Sequence, residues 1–444
     1  MRWFVKVVIL LSGIGPLIGA AQADDFRSSR EKNWHHWRGP NANGVSTSGV
    51  PPVHWDQTTN VKWKAKLQGE GSATPIIWAG RVFLASAIPT DRVADEPPKL
   101  HPDAKTKPPG TYFQYTVLCL DLVTGKEVWR QVACEAVPHE GRHSTNTFAS
   151  ASPTTDGERL YVSFGSRGIY CYDLGGQLIW SRDLGDMRTR YGWGEATSPV
   201  IHGASLVINW DHEDQSFIEI LDATTGKTKW KADRDEPTSW ATPLIVEHAG
   251  RTQVITNGTN RARSYDLATG KVIWQCGGQS VNAIPSPILA GETVFCMSGY
   301  RSSAALAIPL TAMGDITDTD NVLWHHRSGT PYVPSPIIYE NHIYFTRTNT
   351  SVLSCLDIGT GTPIFAQQRL PEMKNVYASP VATAGRIYFT DREGTTVVIR
   401  HGRELEVLAI NKLAEPMDAS PAIVGNQLFL RTSRHLYCIE NAAD

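Results

Sequence analysis

The sequence predicts an all-β fold: an eight-bladed β-propeller of four-stranded antiparallel blades, its ring closed by an N-terminal strand. Three observations carry this. The decapeptide LDATTGKTKW at 221–230 recurs as LDLVTGKEVW (120–129), YDLATGKVIW (265–274), a degraded LDIGTGTPIF (356–365) and a shortened YDLGGQLIW (172–180). A Ser-Pro or Thr-Pro step followed by an apolar run occurs eight times, beginning at Thr74, Ser152, Ser198, Thr242, Ser286, Ser335, Ser379 and Ser420. After a first interval of 78 residues the spacings are 46, 44, 44, 49, 44 and 41, close to the period of a four-stranded blade. Finally, the last unit supplies only three strands, whereas a lone strand, NVKWKAKL at 60–67, precedes the first.

Within each unit the order is strand a after the Ser/Thr-Pro step, strand b (RLYVSF, RIYFT), strand c ending in LD or YD, a turn, and strand d ending in Trp. Each piece is short, rich in β-branched and aromatic residues, and bounded by turn residues. In the opening decapeptide, Asp222 can accept backbone N–H bonds across the turn, Gly226 can take a positive φ, and Trp230 lands on the outer strand against a neighbouring blade. A phosphate loop is excluded, because TGKT has Leu221 where the upstream glycine belongs and no helix follows. Trp63, Trp129, Trp180, Trp230, Trp274, Trp324 and Phe365 are therefore expected to be structural, with only Leu408 near that position in the seventh blade.

The first residues, MRWFVKVVILLSGIGPLIGAAQADD, place Arg2 and Lys6 before a short apolar run ending in small residues, the pattern of an export leader cleaved after Ala23. Residues 24–59 then form an N-terminal extension, and 60–440 the propeller. Losing the leader moves the formal charge from −2 to −4, so no global field favours nucleic acid, and no later stretch is apolar enough to span a bilayer. Cys119, Cys171, Cys355 and Cys438 share one slot of successive repeats, which keeps them apart as small buried residues. Residues 88–112, IPTDRVADEPPKLHPDAKTKPPGTY, are a Pro-rich insertion between strands b and c of the first blade, read as a lid, a partner arm or an exposed loop.

With the repeat established, the chain resembles the pyrroloquinoline-quinone-like β-propellers, whose repeats carry this Asp-x-x-Thr-Gly-Lys-x-x-Trp signature. WRGPNANGVS and DMRTRYGWGEATSP are also similar to segments of exported bacterial propellers related to the propeller lipoprotein of outer-membrane barrel assembly. The resemblance implies either a non-catalytic assembly scaffold or a quinoprotein alcohol or sugar dehydrogenase using pyrroloquinoline quinone and Ca²⁺. Such dehydrogenases stack the quinone on a disulfide between adjacent cysteines, and no two cysteines are adjacent here; nor is there a cysteine at the leader junction to carry a lipid, the first being Cys119.

In a propeller the d-to-a and b-to-c connections emerge on one face, around the channel mouth. There the sequence places Trp193, Glu195, Trp240, Asn282, Tyr332, Tyr377 and Asp418, each just before a Ser/Thr-Pro step, as a candidate site for a sugar or planar ring. Through the resemblance, Glu195, Asn282 and Asp418 are also oxygen ligands of the kind that surround Ca²⁺ in the quinoproteins. The b-to-c loops bring Arg167, Arg261, Arg301, Arg347, Arg392 and Arg434 to the same face, joined by Arg142, Arg188 and Arg190, a set suited to an anionic ligand. No metal is expected; Asp211 and Asp214, or Asp318 and Asp320, are the weak candidates. HEGRH at 139–143 matches a zinc-helix pattern in letters only, since Gly141 is internal and STNT follows. The expectation is a monomeric, periplasmic or secreted binding scaffold without a cofactor, its partners other envelope proteins or an acidic small molecule or glycan. Quinoprotein oxidoreductase and carbohydrate-recognition propeller are the alternatives.

Overall fold

Asp222 does in the folded chain what its turn requires. Its Oδ1 accepts the backbone N–H of Thr224 and Thr225 at 3.1 and 3.0 Å, and Gly226 closes the turn at φ +67°. The computed structural model describes residues 26–442, so the leader expected at 1–23 lies outside the described residues. Repetition of this hairpin builds eight antiparallel sheets arranged as blades in a ring. The fourth blade gains a short parallel fifth strand, Gly314–Asp315, from the long c-to-d connection of the fifth. Among the described residues no helix is long and apolar enough to cross a membrane.

The strand-d tryptophans join one blade to the next. Four of the rings pack on a strand-b aromatic of their own blade, Trp63 on Phe429, Trp129 on Phe83, Trp180 on Tyr161 and Trp324 on Phe295, at 5.9, 6.0, 6.1 and 5.6 Å between centroids. The indole N–H then donates to a turn carbonyl of the following blade. Trp63, Trp129, Trp180, Trp230 and Trp324 reach Leu122, Leu174, Ala223, Leu267 and Ile358 at 2.7–3.0 Å. Gly125, Gly176, Gly226, Gly270 and Gly361 must be glycine, because a Cβ there would lie within 2.9 Å of the docked indole. Trp274 has no such bond, since the turn it would meet is replaced by the long connection that pairs Gly314 beside it.

The seventh blade corrects one expectation. A bulge in its outer strand sets Ala409, not Leu408, opposite Val398 at the docking position. The missing aromatic comes from the N-terminal extension: Trp55, 4% exposed, stacks on the strand-b Tyr388 at 6.3 Å.

The ring closes as the orphan strand implies. Val61–Lys66 pairs antiparallel with His435–Ile439, with Trp63 opposite Cys438 and Lys66 opposite His435. Glu415 clamps this joint, accepting from Lys64 Nζ at 3.2 Å, Thr432 Oγ1 at 2.5 Å and His435 Nδ1 at 2.8 Å. Burial alone would raise the Glu415 carboxyl, but the bonds from Thr432, His435 and Lys64 outweigh it and hold it at about 2, below its ordinary 4.5. A depressed carboxyl contributes stability above the unfolded value and loses it as pH falls through the folded one. The wild-type unfolding midpoint should therefore drop between about pH 4.5 and 2 more steeply than that of Glu415→Gln. Denaturation curves followed by tryptophan fluorescence at several pH values check this; parallel profiles would remove Glu415 from the closure.

Candidate functional site

The Ser/Thr-Pro steps line the axis, and they do more than start strands. The backbone N–H of each serine or threonine donates to the hydroxyl of its counterpart in the next blade: Thr74 to Ser152, Ser152 to Ser198, Ser198 to Thr242, and on through Ser286, Ser335, Ser379 and Ser420. These seven bonds run 2.9–3.2 Å. A hydroxyl can accept one bond and still donate, so the ring is both an inter-blade tie and a polar channel wall. The N-terminal extension enters this channel. Arg38, 2% exposed, donates to the carbonyls of Pro380 and Pro336 at 2.6 and 2.9 Å, and Trp37 lines the cavity of about 710 Å³ that the hydroxyl ring encloses.

At the loop face an aromatic arc surrounds the mouth. Tyr191 meets Trp193 edge-on at 5.2 Å, Trp193 stacks on Trp240 at 6.4 Å and meets Tyr300 at 6.5 Å, and Tyr300 lies 4.7 Å from Tyr332. Trp240 is fixed by its N–H to Gly194 O at 2.7 Å. Asn282 sits among them with φ +61°, 1% exposed, and neither polar atom of its side-chain amide makes a hydrogen bond of ordinary geometry. A buried unpaired amide is costly, so strain and dissatisfaction coincide at one residue. Burial pushes the Tyr332 hydroxyl up to about 12, a shift the adjacent Asn282 amide opposes.

The structure brings the sequence-selected residues to three places. Trp193, Trp240, Asn282 and Tyr332 belong to the arc. Tyr377 and Asp418 line the channel with Trp240; Arg392 lies 4.6 Å over the Tyr377 ring and holds Asp418 with two bonds, 2.5 and 3.2 Å. Glu195 turns off the axis into a separate cavity, where its oxygens accept from Ser166 Oγ at 2.5 Å and Ser166 N at 2.8 Å. Its loop is long enough to fold back, through the short helical turn Arg190–Gly192 with Tyr191 at φ +57°.

The arginines divide. Arg167 pairs with Asp186, Arg392 with Asp418, Arg142 with Glu70 at 2.5 Å and Arg188 with Asp214 at 2.7 Å, while Arg434 lies 3.9 Å from Glu415. Among the described residues Arg261, Arg301 and Arg347 make no ion pair within 4.0 Å, nor do Arg190 and Arg327, although Arg261 lies close enough to Asp235 and Asp315 to help lower both carboxyls. Arg301, Arg327 and Arg347 surround one shallow depression with Ser302, Ser328 and Thr348, and no acidic residue lines it. Tyr300 belongs to this depression and to the aromatic arc. Tyr300 and Arg327 escaped the sequence reading; the aromatic-arginine step Tyr300-Arg301 in a b-to-c loop was the available signal.

The acidic candidates are engaged locally. Asp211 is fully buried against Arg234, 2.7 and 3.0 Å away, and Asp214 is held by Arg188. Asp318 and Asp320 lie in the c-to-d connection of the fifth blade, away from the loop face. The Pro-rich arm does not stand free: strands b and c of the first blade extend to Val93 and from Thr111, and the tip folds onto the second d-to-a loop. Lys105 N donates to Tyr191 O at 2.9 Å, its Nζ sits 3.9 Å over the Tyr191 ring, and Thr106 Oγ1 donates to Gly192 O.

A family model described as "Outer membrane protein assembly factor BamB" matches residues 114–367. No curated protein sequence matches the chain. Among solved structures, BamB from Moraxella catarrhalis is 13% identical with a TM-score of 0.53, covering 80% of this chain and 99% of that one. A quinohemoprotein alcohol dehydrogenase from Comamonas testosteroni is 11% identical with a TM-score of 0.63, covering 96% and 85%. A europium-containing methanol dehydrogenase is 11% identical with a TM-score of 0.62, covering 92% and 91%. At these identities the likeness is one of fold.

Proposed function

Because the chain belongs to the BamB-type family of pyrroloquinoline-quinone-like propellers, we propose that it is a non-catalytic binding propeller of the cell envelope whose loop face takes an acidic oligosaccharide. The observation that supports this best is the continuity at Tyr300, where an arc suited to stacking sugar rings runs into three arginines without carboxylate partners. Aromatic faces hold the apolar faces of sugars, while arginine forks recognise carboxylate or sulfate. The Asn282 amide, whose atoms make no hydrogen bond of ordinary geometry, lies beneath the arc next to the Tyr332 hydroxyl. The family name points to an envelope setting, and a periplasmic or secreted location is part of the proposal.

The quinoprotein alternative rests on the fold. Its calcium set fits poorly: Asp418 is neutralised by Arg392, and Glu195 faces a different cavity from Asp418. The seven cysteines are free and six of them are buried, which leaves no sulfur pair beneath a quinone.

A screen of neutral, uronate-bearing and sulfated oligosaccharides, read by quenching of intrinsic tryptophan fluorescence, separates the readings when run beside quinone with Ca²⁺. Acidic glycans should quench and neutral ones should not, with the response reduced at least tenfold in Trp193→Ala. Retention of quinone through gel filtration, with no glycan response, would replace this reading by the oxidoreductase.

A further inference from the structure

We propose that His139, Glu140 and Glu195 form a binding site for a divalent first-row metal ion, roofed by the Pro-rich arm. One ligand atom from each of the three lies within 4.8 Å of the others, the single such group among the described residues. Two ligands of one ion at about 2.1 Å stand at most about 4.2 Å apart, so side-chain rotations of well under an ångström complete the contact. Imidazole with two carboxylates is a donor set for zinc, manganese or cobalt rather than for calcium.

Each ligand is already oriented by a partner and keeps a free lone pair. His139 Nε2 lies 2.7 Å from the Met187 carbonyl, which can only accept, so the proton sits on Nε2, and Nδ1 makes no hydrogen bond, its nearest charged neighbour being Asp186 Oδ1 at 3.8 Å. Glu140 accepts from the Thr189 hydroxyl and, at 3.1 Å, from Thr189 N; Glu195 accepts from the hydroxyl and amide of Ser166. Histidine ligands that donate their other N–H to a carbonyl, and carboxylates held by hydrogen bonds, are the usual outer shell of a metal.

Independent support comes from the cavity, about 670 Å³ including its opening, that His139, Glu140 and Glu195 line. Asn209, 1% exposed, belongs to the same wall, and its side-chain oxygen has no hydrogen-bond partner. Asp186 engages Arg167 at the rim of the same cavity. A second cleft, between His101, Ala104 and Pro108 of the arm and Thr189 of the ring, opens onto His139 and Glu140. A three-ligand set leaves a coordination position for water.

The site is unlike the zinc-helix reading of HEGRH. Residues 137–150 are not helical, and His143 is turned away, its Nδ1 2.8 Å from Thr145 Oγ1 and its ring edge-on to Trp193. That gives an internal control. Untagged mature protein, stripped with chelator and gel-filtered, should bind one equivalent of Zn²⁺ by calorimetry and elemental analysis. His139→Ala and Glu195→Gln should each weaken binding at least tenfold, and His143→Ala should bind as wild type. A visible absorption band of Co²⁺-loaded wild type, abolished by Zn²⁺, reports the same site without any substitution. No stoichiometric uptake of Zn²⁺, Mn²⁺ or Co²⁺ would overturn the proposal. So would unchanged binding in folded His139→Ala and Glu195→Gln, or an equal loss in His143→Ala.

Discussion

Arg234→Met should lower the free energy of unfolding by about 3–5 kcal/mol, as expected when one partner of a buried ion pair is removed. Arg234 and Asp211 are both 0% exposed at the side chain, and no water can take over. Arg234 also donates to Thr256 Oγ1 at 2.9 Å and Tyr265 OH at 2.7 Å, while Asp211 accepts from Ser239 Oγ at 2.5 Å and Asn209 Nδ2 at 3.1 Å. The substitution strands a carboxylate among these donors. Asp211→Asn/Arg234→Met should recover much of the loss, because the Asp211 carboxylate is then no longer buried without its partner, and Glu236 keeps Arg263. Urea unfolding of the single and double variants measures both. A single-variant loss below about 1 kcal/mol would mean the pair is wetter than its geometry implies.

Removing residues 24–68 should abolish soluble, cooperatively unfolding protein. The truncation bares His435–Ile439 as an unpaired edge and withdraws Trp63 from the first blade's turn. It also takes Trp55 from the Ala409 position and Arg38 from the carbonyls of Pro336 and Pro380. An exposed edge pairs with other chains, so the expected product is aggregate. A monomeric truncation with one sharp thermal transition would show that seven complete blades hold without closure.

The fold was legible because its signals are local and repeated. Asp222, Gly226 and Trp230 act within one hairpin and its neighbour, so a 44-residue period in the sequence is a period in space. What was hidden depends on residues distant in sequence. Trp55 replaces an aromatic 354 positions later at Ala409, and nothing near Leu408 announces it. The Ser/Thr-Pro steps were read as strand starts; their inter-blade bonds exist only once the ring is closed. Glu195 looked axial because it precedes Ser198-Pro199, but the turn at Tyr191 sends it to His139 and Glu140. The arginines recur by position, yet whether each faces an acid, as Arg392 does, or none, as Arg301 and Arg347, is set by loops of other blades.

Calorimetric titration of the purified protein with the strongest acidic oligosaccharide tests the binding reading most directly. Wild type should bind at low salt, more weakly as salt rises, at a Debye length that shrinks to about 8 Å at physiological ionic strength. Arg301→Ala/Arg347→Ala should lose most of that affinity, about 1.5–3 kcal/mol for each charge-assisted bond removed. Arg81→Ala, at the opposite end of the first blade and paired with Asp121 at 2.9 Å, should bind as wild type. Absence of binding at low salt, or equal affinity in the double variant, would contradict an acidic-glycan site on the loop face.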